Sequence, residues 1–165
     1  MLGRGPPRRV LRATTSWVTV LDAYAVIAFL QDEPAADDVR ALLEAGDGAL
    51  TTVGLAEVLD HLVRLAGADE DDAVLDLAQL GLLDAVPVHA GTGNAAGYLR
   101  SRHYHRTRCP ISMADCIAAE SARAIRRPLA TADPDLLDVC QTKRIEVIAL
   151  PGSDGTTWPP KPSPA

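Results

Sequence analysis

The sequence contains few aromatic residues and almost no lysine. Of its 165 residues 4% are aromatic, and the only lysines are Lys143 and Lys161, so arginine supplies the other positive side chains. The net charge of −6 excludes a chain that binds polyanions over its whole surface, and any nucleic acid needs a local basic patch. Almost half of the residues are hydrophobic, mainly alanine and leucine, which favours helices packed on a small sheet.

Cysteine is also scarce, and no apolar segment is long. Cys109, Cys116 and Cys140 are odd in number and lack CxxC spacing, which indicates reduced thiols and excludes a zinc site. No apolar run reaches the roughly 18 residues of a membrane span. Asp22 interrupts the apolar stretch after the basic start, which argues against a signal peptide. We therefore expect a cytoplasmic protein without a membrane segment.

The length predicts one domain with loose ends. Residues 1–16 are basic and contain Pro and Gly, so we expect a disordered arm there. From Pro151 onward Pro, Gly, Ser and Thr dominate, which predicts a Pro-rich mobile tail over residues 151–165. The folded domain is then expected over residues 17–150.

Apolar segments that alternate with helical patterns predict the order of strands and helices. Strands are predicted at residues 17–21, 49–51, 82–88, 129–131 and 146–150. Helices are predicted at residues 24–31, 34–44, 53–65, 94–103, 112–125 and 134–141, with a further helix that begins at Asp69. Pro87 favours an edge position for the third strand. The alternation predicts a parallel sheet with helices on both faces, which binds ligands beyond the carboxyl ends of its strands.

Four acids stand where a predicted strand meets a helix, or one step inside that helix. They are Asp22, Glu57, Asp115 and Asp133. Because strand ends at one edge of a parallel sheet converge, we expect these side chains to meet in one pocket. Carboxylates repel each other by about 3 kcal/mol per pair at roughly 5 Å and an effective dielectric constant of about 20. A bound cation offsets this repulsion, and oxygen-only ligands suit Mg²⁺ or Mn²⁺.

Each acid also has a purely structural interpretation. Asp22 is a favoured N-cap for the helix that follows it, and Asp133 directly before a proline is a common helix start. Asp115 stands three residues after Ser112 and completes a capping box. Glu57 belongs to a polar stripe at helical spacing, which is typical of a solvated face. The functional interpretation depends on the conjunction of all four.

The order and context of these acids resemble the PIN-domain ribonucleases, most closely the VapC-type toxins of prokaryotic toxin–antitoxin pairs. The matching segments are LDAYAVIAFL, TTVGLAEVL, ISMADCIAAESA and LATADPDLL. The resemblance covers roughly Val18 to Leu150. It implies a three-layer α/β/α domain with a four- or five-stranded parallel sheet. It also implies Mg²⁺- or Mn²⁺-dependent endonucleolytic cleavage of RNA.

The resemblance further implies a role for each site residue. Asp22, Asp115 and Asp133 fall on the acids that hold the metal, directly or through water. Glu57 falls on the acid that binds metal, orients a water or serves as general base. Thr131 matches the small hydroxyl residue often found two positions before the last acid, where it positions a water or a carboxylate.

Two positions depart from the family's pattern. Gly54 stands three residues before Glu57, where the family often shows Ser, Thr or Asn, and one supporting hydrogen bond is therefore in doubt. Tyr24 replaces a small or polar residue and narrows the site or stacks on a base. An inactive PIN-fold interaction domain is the alternative function, and Gly54 favours it. A phosphatase or receiver domain fits less well, because Asp22 lacks a DxD partner and no lysine is suitably placed.

A basic segment before the helix of Asp115 is the candidate contact for RNA. It reads YLRSRHYHRTR and supplies Arg100, Arg102, Tyr104, Arg106 and Arg108. Arginine suits phosphate contacts and tyrosine stacks on unpaired bases. The structural interpretation of the same segment is a solvated helix end and loop. The family resemblance implies two protein partners as well, a cognate antitoxin and a second copy of the chain.

Overall fold

Four short strands form one parallel sheet at the centre of the structure. They are β1 (Thr19–Leu21), β2 (Gly48–Ala49), β3 (Leu129–Thr131) and β4 (Val147–Ala149), in the order β2-β1-β3-β4. Each neighbouring pair is parallel, and Val20 stands opposite Ala49 on one side and Leu129 on the other. The sheet confirms the predicted parallel arrangement, with the smaller of the two predicted strand numbers.

The structure is a computed structural model that describes residues 19–159. The predicted arm at residues 1–16, the first two residues of the strand predicted at 17–21, and residues 160–165 of the predicted tail lie outside this range. Within the described range, no helix is both long and apolar enough to cross a membrane.

Seven α-helices are described between and around the strands. They are α1 (Ala23–Leu30), α2 (Ala36–Glu44), α3 (Thr52–Asp60), α4 (Glu70–Gln79), α5 (Ala90–His103), α6 (Met113–Ile125) and α7 (Pro134–Lys143). The helix predicted at residues 53–65 is divided, since α3 ends at Asp60 and His61–Leu65 continues it as a π-helical turn. Such turns inside helices are frequent at functional sites.

The two faces of the sheet bury different sets of side chains. On one face Val20 and Leu129 pack with apolar residues of α5, α6 and α7. On the other face the neighbouring residues Leu21 and Ala130 pack with α1, α2, α3 and α4. Successive side chains of a strand point to opposite faces, so β1, β3 and β4 each contribute to both cores. This arrangement confirms the predicted three-layer α/β/α class.

The strand predicted at residues 82–88 is wrong except at one position. Val86 forms a single parallel bridge with Thr51, through hydrogen bonds from Val86 N–H to Leu50 and from Thr52 N–H to Val86. Leu82, at the start of the predicted strand, instead lies in the turn that ends α4 and is fully buried.

Residues 151–159 fold back on the domain. Pro151 forms an antiparallel bridge with Thr157, and the N–H of Gly152 donates to the carbonyl of Thr156 at 2.8 Å. The indole Nε1 of Trp158 donates to Asp138 Oδ1 on α7 at 2.7 Å. These hydrogen bonds continue the described fold past residue 150, inside the range predicted as tail.

Gly54 offers a test of the packing beside α3. An added Cβ would lie 3.4 Å from both Leu50 Cδ2 and Thr51 Oγ1, which is ordinary contact. We expect Gly54→Ala to raise the free energy of unfolding by about 0.5 kcal/mol, because glycine inside a helix costs conformational entropy. Gly67→Ala is the matched control and should destabilise, since Gly67 has a φ of +71°. Urea unfolding measures both, and equal effects at the two positions would contradict this expectation.

Candidate active site

All four predicted acids line one cavity of about 660 Å³ at the carboxyl edge of the sheet. Asp22 directly follows β1, and Asp133 comes two residues after the end of β3. Asp115 lies in the first turn of α6, and Glu57 lies in α3. The cavity is also lined by Tyr24, Ile27, Gln31, Glu33, Asp60, His61, Arg64, Leu65, Gly152 and Ser153. The structure thus brings together acids that are remote in the sequence.

Three of the acids also cap helices, so their structural interpretation holds as well. Asp22 Oδ1 accepts a hydrogen bond from the N–H of Ala25 at 2.8 Å at the start of α1. Asp115 Oδ2 accepts from the N–H of Ser112 at 2.7 Å in a complete capping box. Asp133 Oδ1 accepts from two amides in the first turn of α7. Each cap uses one carboxylate oxygen, and the other oxygen has no bond to its helix.

Burial dominates the protonation of Asp22. Its side chain is 5% exposed, and desolvation raises its pKa from the usual 3.8 to about 7. Hydrogen bonds from the Thr131 hydroxyl and the Ala25 N–H oppose this rise, while the negative charges of Asp115 and Asp133 add to it. Burial therefore favours the protonated form of Asp22 when no metal is bound.

The negative charge of Asp115 raises the pKa of the other acids as well. Burial raises the pKa of Asp133, and the nearby Asp115 raises it further. Glu57 is the most exposed of the four, yet desolvation of its carboxyl group raises its pKa, and Asp115 again adds to the shift. Asp115 thus lies within electrostatic range of the three other acids, as carboxylates around one site should.

Thr131 connects two of the acids. It is fully buried at the end of β3, and its Oγ1 accepts a hydrogen bond from the N–H of Asp133 at 3.2 Å. Its hydroxyl group also interacts with the carboxylate of Asp22 and lowers the pKa of that group. This geometry suits the positioning role predicted for Thr131.

The donor set fits a hard divalent cation. The four side chains offer carboxylate oxygens, and within residues 19–159 no lysine or arginine forms an ion pair with any of them. In the same range, no three His, Cys, Asp or Glu side chains already stand in a metal-coordinating group. An ion that uses three of these acids therefore has to draw the carboxylates closer together.

Several polar contacts of the cavity wall were not predicted from the sequence. The hydroxyl group of Tyr24 donates to Glu33 Oε2 at 3.0 Å. Burial of the Tyr24 hydroxyl group, and next the hydrogen bond and negative charge of Glu33, raise the pKa of Tyr24 to about 12. The ring Nε2 of His61 lies 3.0 Å from Nε2 of Gln31. These contacts join α1, its following turn and α3. Sequence spacing carries no signal for them.

One ion pair lies on the cavity wall. Arg64 donates to both carboxylate oxygens of Asp60, with its Nη2 2.7 Å from Oδ2. Asp60 and Arg64 therefore neutralise each other at the rim of the cavity. The net negative charge of the site comes from the unpaired acids.

The predicted RNA-binding residues do not lie on the cavity wall. The Nε of Arg100 donates to the carbonyl of Ile111 at 3.2 Å, and its guanidinium lies 4.0 Å from the Tyr104 ring centroid. Arg102 instead lies beside the ring of Tyr98 at 5.8 Å. Arg100 and Arg102 therefore have separate aromatic partners.

Arg106 and Arg108 belong to the loop that follows α5. Both are exposed in a loop that the bridge between His105 and Cys109 closes. Burial raises the pKa of the Cys109 thiol, and negative charge that includes Asp133 raises it further. The end of this loop thus lies within electrostatic range of the acidic cavity.

The family assignment follows from the whole domain. A family model described as the PIN domain matches residues 19–141, which include all four acids, so the chain belongs to the PIN domain family. This match confirms the predicted family and overturns the receiver and phosphatase alternatives. PIN domains are generally nucleases and typically use a divalent metal. No curated protein matches the chain.

Solved structures share this fold at low sequence identity. FitAcB from Neisseria gonorrhoeae is 18% identical with a TM-score of 0.58, over 79% of this chain and 96% of that chain. DNA-bound VapBC from Salmonella typhimurium is 13% identical with a TM-score of 0.59, over 81% and 98%. A toxin–antitoxin complex from Klebsiella pneumoniae is 15% identical with a TM-score of 0.52, over 70% and 86%. The predicted likeness to VapC-type proteins is confirmed at the level of the fold.

The raised pKa of Asp22 predicts how stability depends on pH without metal. The folded state keeps the carboxyl group protonated up to about pH 7, while the unfolded chain ionises it near 3.8. The cost of Asp22 to folding therefore grows between about pH 4 and pH 7, to about 4 kcal/mol. Asp22→Asn keeps the helix cap and removes the charge, so its stability relative to wild type should rise over this range.

The measurement is urea unfolding in EDTA at several pH values between 4 and 8. The exposed Asp38 on α2 provides the matched control, because Asp38→Asn removes the same charge outside the cavity. A stability difference between Asp22→Asn and wild type that stays constant with pH would show that burial does not hold the proton on Asp22.

Proposed function

We propose that this chain is a Mg²⁺- or Mn²⁺-dependent endoribonuclease toxin that a cognate antitoxin neutralises. The observation that carries the proposal is the convergence of Asp22, Glu57, Asp115 and Asp133 on one cavity of a PIN domain. The pKa values of Asp22, Glu57 and Asp133 are raised, and carboxylates gathered in one cavity repel each other unless a cation is bound. Nuclease chemistry on phosphodiesters gives a reason for that cost.

Each acid has a separate task in this proposal. Asp22, Asp115 and Asp133 hold the ion with the oxygens that their helix caps leave free. A divalent ion bound there supplies positive charge to the phosphate and lowers the pKa of a water molecule. Glu57, the most exposed of the four, orients the attacking water and accepts its proton. Thr131 holds Asp22 and the backbone of Asp133 in place through its hydroxyl group.

RNA reaches the cavity beside the loop of Arg106 and Arg108 in this proposal. Both side chains are exposed, and the loop ends near Asp133. Arg100 and Tyr104 support the loop through their stacking contact. The positive loop offsets the repulsion between the acids and the phosphates that flank the cut.

The antitoxin and a second copy of the chain are the proposed protein partners. Among the similar structures, one is described as a toxin–antitoxin complex and three as bound to DNA. Leu65 lines the cavity and is 60% exposed, and Leu75 on α4 is 55% exposed. Apolar side chains in such positions support a protein partner that covers the mouth of the cavity.

Cleavage should require the ion and the charge of Asp115. We expect the full chain to cut RNA in Mg²⁺ and to stop in EDTA. Asp115→Asn should lower the rate by at least about 100-fold, because it removes a charge that acts on the bound ion. Its amide oxygen still accepts the Ser112 N–H, so the fold should persist by circular dichroism. A gel assay on structured and single-stranded RNA measures the rate, with Asp38→Asn as the control.

The same assay decides between the proposal and its alternative. Cleavage by Asp115→Asn at the wild-type rate would show that the site assignment is wrong. If no RNA is cut under any metal condition while the protein binds an antitoxin, the chain is an inactive PIN-fold interaction domain.

Thr131 should act through the acids. Thr131→Val removes the acceptor of the Asp133 N–H and the hydroxyl group beside Asp22, so we expect a 10- to 100-fold loss of rate, roughly the cost of losing a residue that supports a metal ligand. Thr131→Ser keeps the hydroxyl group and should restore most of the rate. The pH midpoint of cleavage should shift upward in Thr131→Val, since the interaction that lowers the pKa of Asp22 is lost. Equal rates in the valine and serine variants would contradict this role.

A further inference from the structure

Positive and negative side chains are separated along the chain. Residues 19–99 contain 15 Asp and Glu but 2 Arg, whereas residues 100–144 contain 9 Lys and Arg and 5 Asp and Glu. The net charge of −6 therefore hides a basic region in the second half of the domain. The loop of Arg106 and Arg108 accounts for part of this region only.

Two adjacent depressions on the side of α5, α6 and α7 contain most of the remaining cations. The first, of about 320 Å³, is lined by Tyr98, Arg102, Glu120, Arg123 and Lys143, among others. The second, of about 270 Å³, is lined by Arg123, Arg126, Arg127, Arg144 and Glu146, among others. Arg123 borders both, so they form one continuous area, which we call the basic surface.

Most of the positive charge of the basic surface is not neutralised internally. Glu120 is buried and pairs with Arg123, whose Nε donates to its Oε2 at 2.6 Å. Within residues 19–159, none of Arg102, Arg126, Lys143 and Arg144 forms an ion pair with a carboxylate. Four cations thus stand on one area with their charge available to a ligand.

These cations also have a structural interpretation, because each belongs to the end of a helix. Arg126 and Arg144 are the left-handed C-caps of α6 and α7, and positive charge there is favoured by the helix dipole. The dipole acts on each helix separately. It gives no reason for the exposed aromatic ring of Tyr98 beside Arg102.

The exposed ring of Tyr98 indicates which class of ligand suits the basic surface. Its side chain is 57% exposed, and the guanidinium of Arg102 lies 5.8 Å from its ring centroid. Arginines beside a free aromatic ring suit single-stranded nucleic acid, whose phosphates meet the cations while a base stacks on the ring. An acidic protein segment would use the cations and leave the ring without a partner.

The basic surface is remote from the acids but joined to them by two helices. Asp115 lies in the first turn of α6 and Asp133 is the N-cap of α7, while the C-caps Arg126 and Arg144 lie at the other ends of these helices, just before β3 and β4. The 13 residues of α6 span roughly 20 Å. A strand bound to the basic surface is therefore outside the cavity.

We propose that the basic surface binds single-stranded RNA and holds the part of the strand that flanks the cut. The position of the cut rests on the proposed function, but the binding does not. The surface supplies the phosphate contacts that the acidic cavity lacks. It should therefore lower the KM for long strands and leave kcat unchanged.

The test is fluorescence anisotropy of the full chain with labelled single-stranded oligouridine in EDTA, where no cleavage occurs. The triple variant Arg102→Gln, Lys143→Gln and Arg144→Gln should bind about 100-fold more weakly at roughly 0.1 M salt. The slope of log affinity against log salt concentration should become less negative by about 2, because three phosphate contacts are lost. Arg40→Gln removes one positive charge from α2, outside the basic surface, and should change neither quantity.

A second pair of measurements separates nucleic acid from an acidic protein. Tyr98→Ala should weaken the binding of oligouridine about 10-fold or more, because it removes one stacked base. The same variant should not alter the binding of polyglutamate. Polyglutamate that binds the wild-type chain as tightly as the RNA does would overturn the assignment to nucleic acid.

The helix-dipole interpretation makes the opposite prediction. If the cations act only as helix caps, the triple variant should have a lower melting temperature than wild type. Its RNA affinity and its salt slope should then equal those of Arg40→Gln. That result would overturn the proposal. If the RNA binds as expected but is never cut in Mg²⁺, the basic surface stands and the proposed nuclease function fails.

Discussion

Electrostatic repulsion inside one partly buried cavity is the interaction on which the rest of this structure depends. Asp22, Asp115 and Asp133 face a common space, and Asp115 raises the proton affinity of its neighbours. The domain tolerates these charges because each carboxylate also accepts amide hydrogen bonds at a helix N-terminus, where the helix dipole favours negative charge. One oxygen of each carboxylate caps a helix and the other is left for a ligand, so capping and ligand binding are compatible.

The direction of the parallel strands determines where the acidic and the basic side chains of the domain lie. Strands that run in one direction leave the helix N-termini at the carboxyl edge and the helix C-termini at the amino edge. Carboxylates are stabilised at the first edge and cations at the second. In α6 and α7 the same helix carries Asp115 or Asp133 at its start and Arg126 or Arg144 at its end. The polarity of the domain thus follows from its topology.

The fold class and the four acids could be predicted from the sequence because they depend on local patterns. Apolar strands followed by helices indicate a parallel sheet, and an acid at each junction lies at its carboxyl edge. The strand predicted at residues 82–88 was wrong because its apolar residues lie in two different environments. Leu82 packs under the turn that ends α4, and Val86 makes a single bridge to Thr51. Hydrophobic pattern alone does not distinguish these environments.

The alternation of strands and helices in the sequence predicted the parallel sheet, and the resemblance of four short segments to PIN domains predicted the three-layer class, the family and the four acids, because all of these are carried by local order and residue type. Only the tertiary structure decided which remote side chains share a space. It placed Glu33 against Tyr24 and brought Gly152 to the cavity wall. It also separated Arg102 from Arg106. Contacts between distant segments depend on how the helices pack across the sheet, and linear spacing contains no measure of that packing.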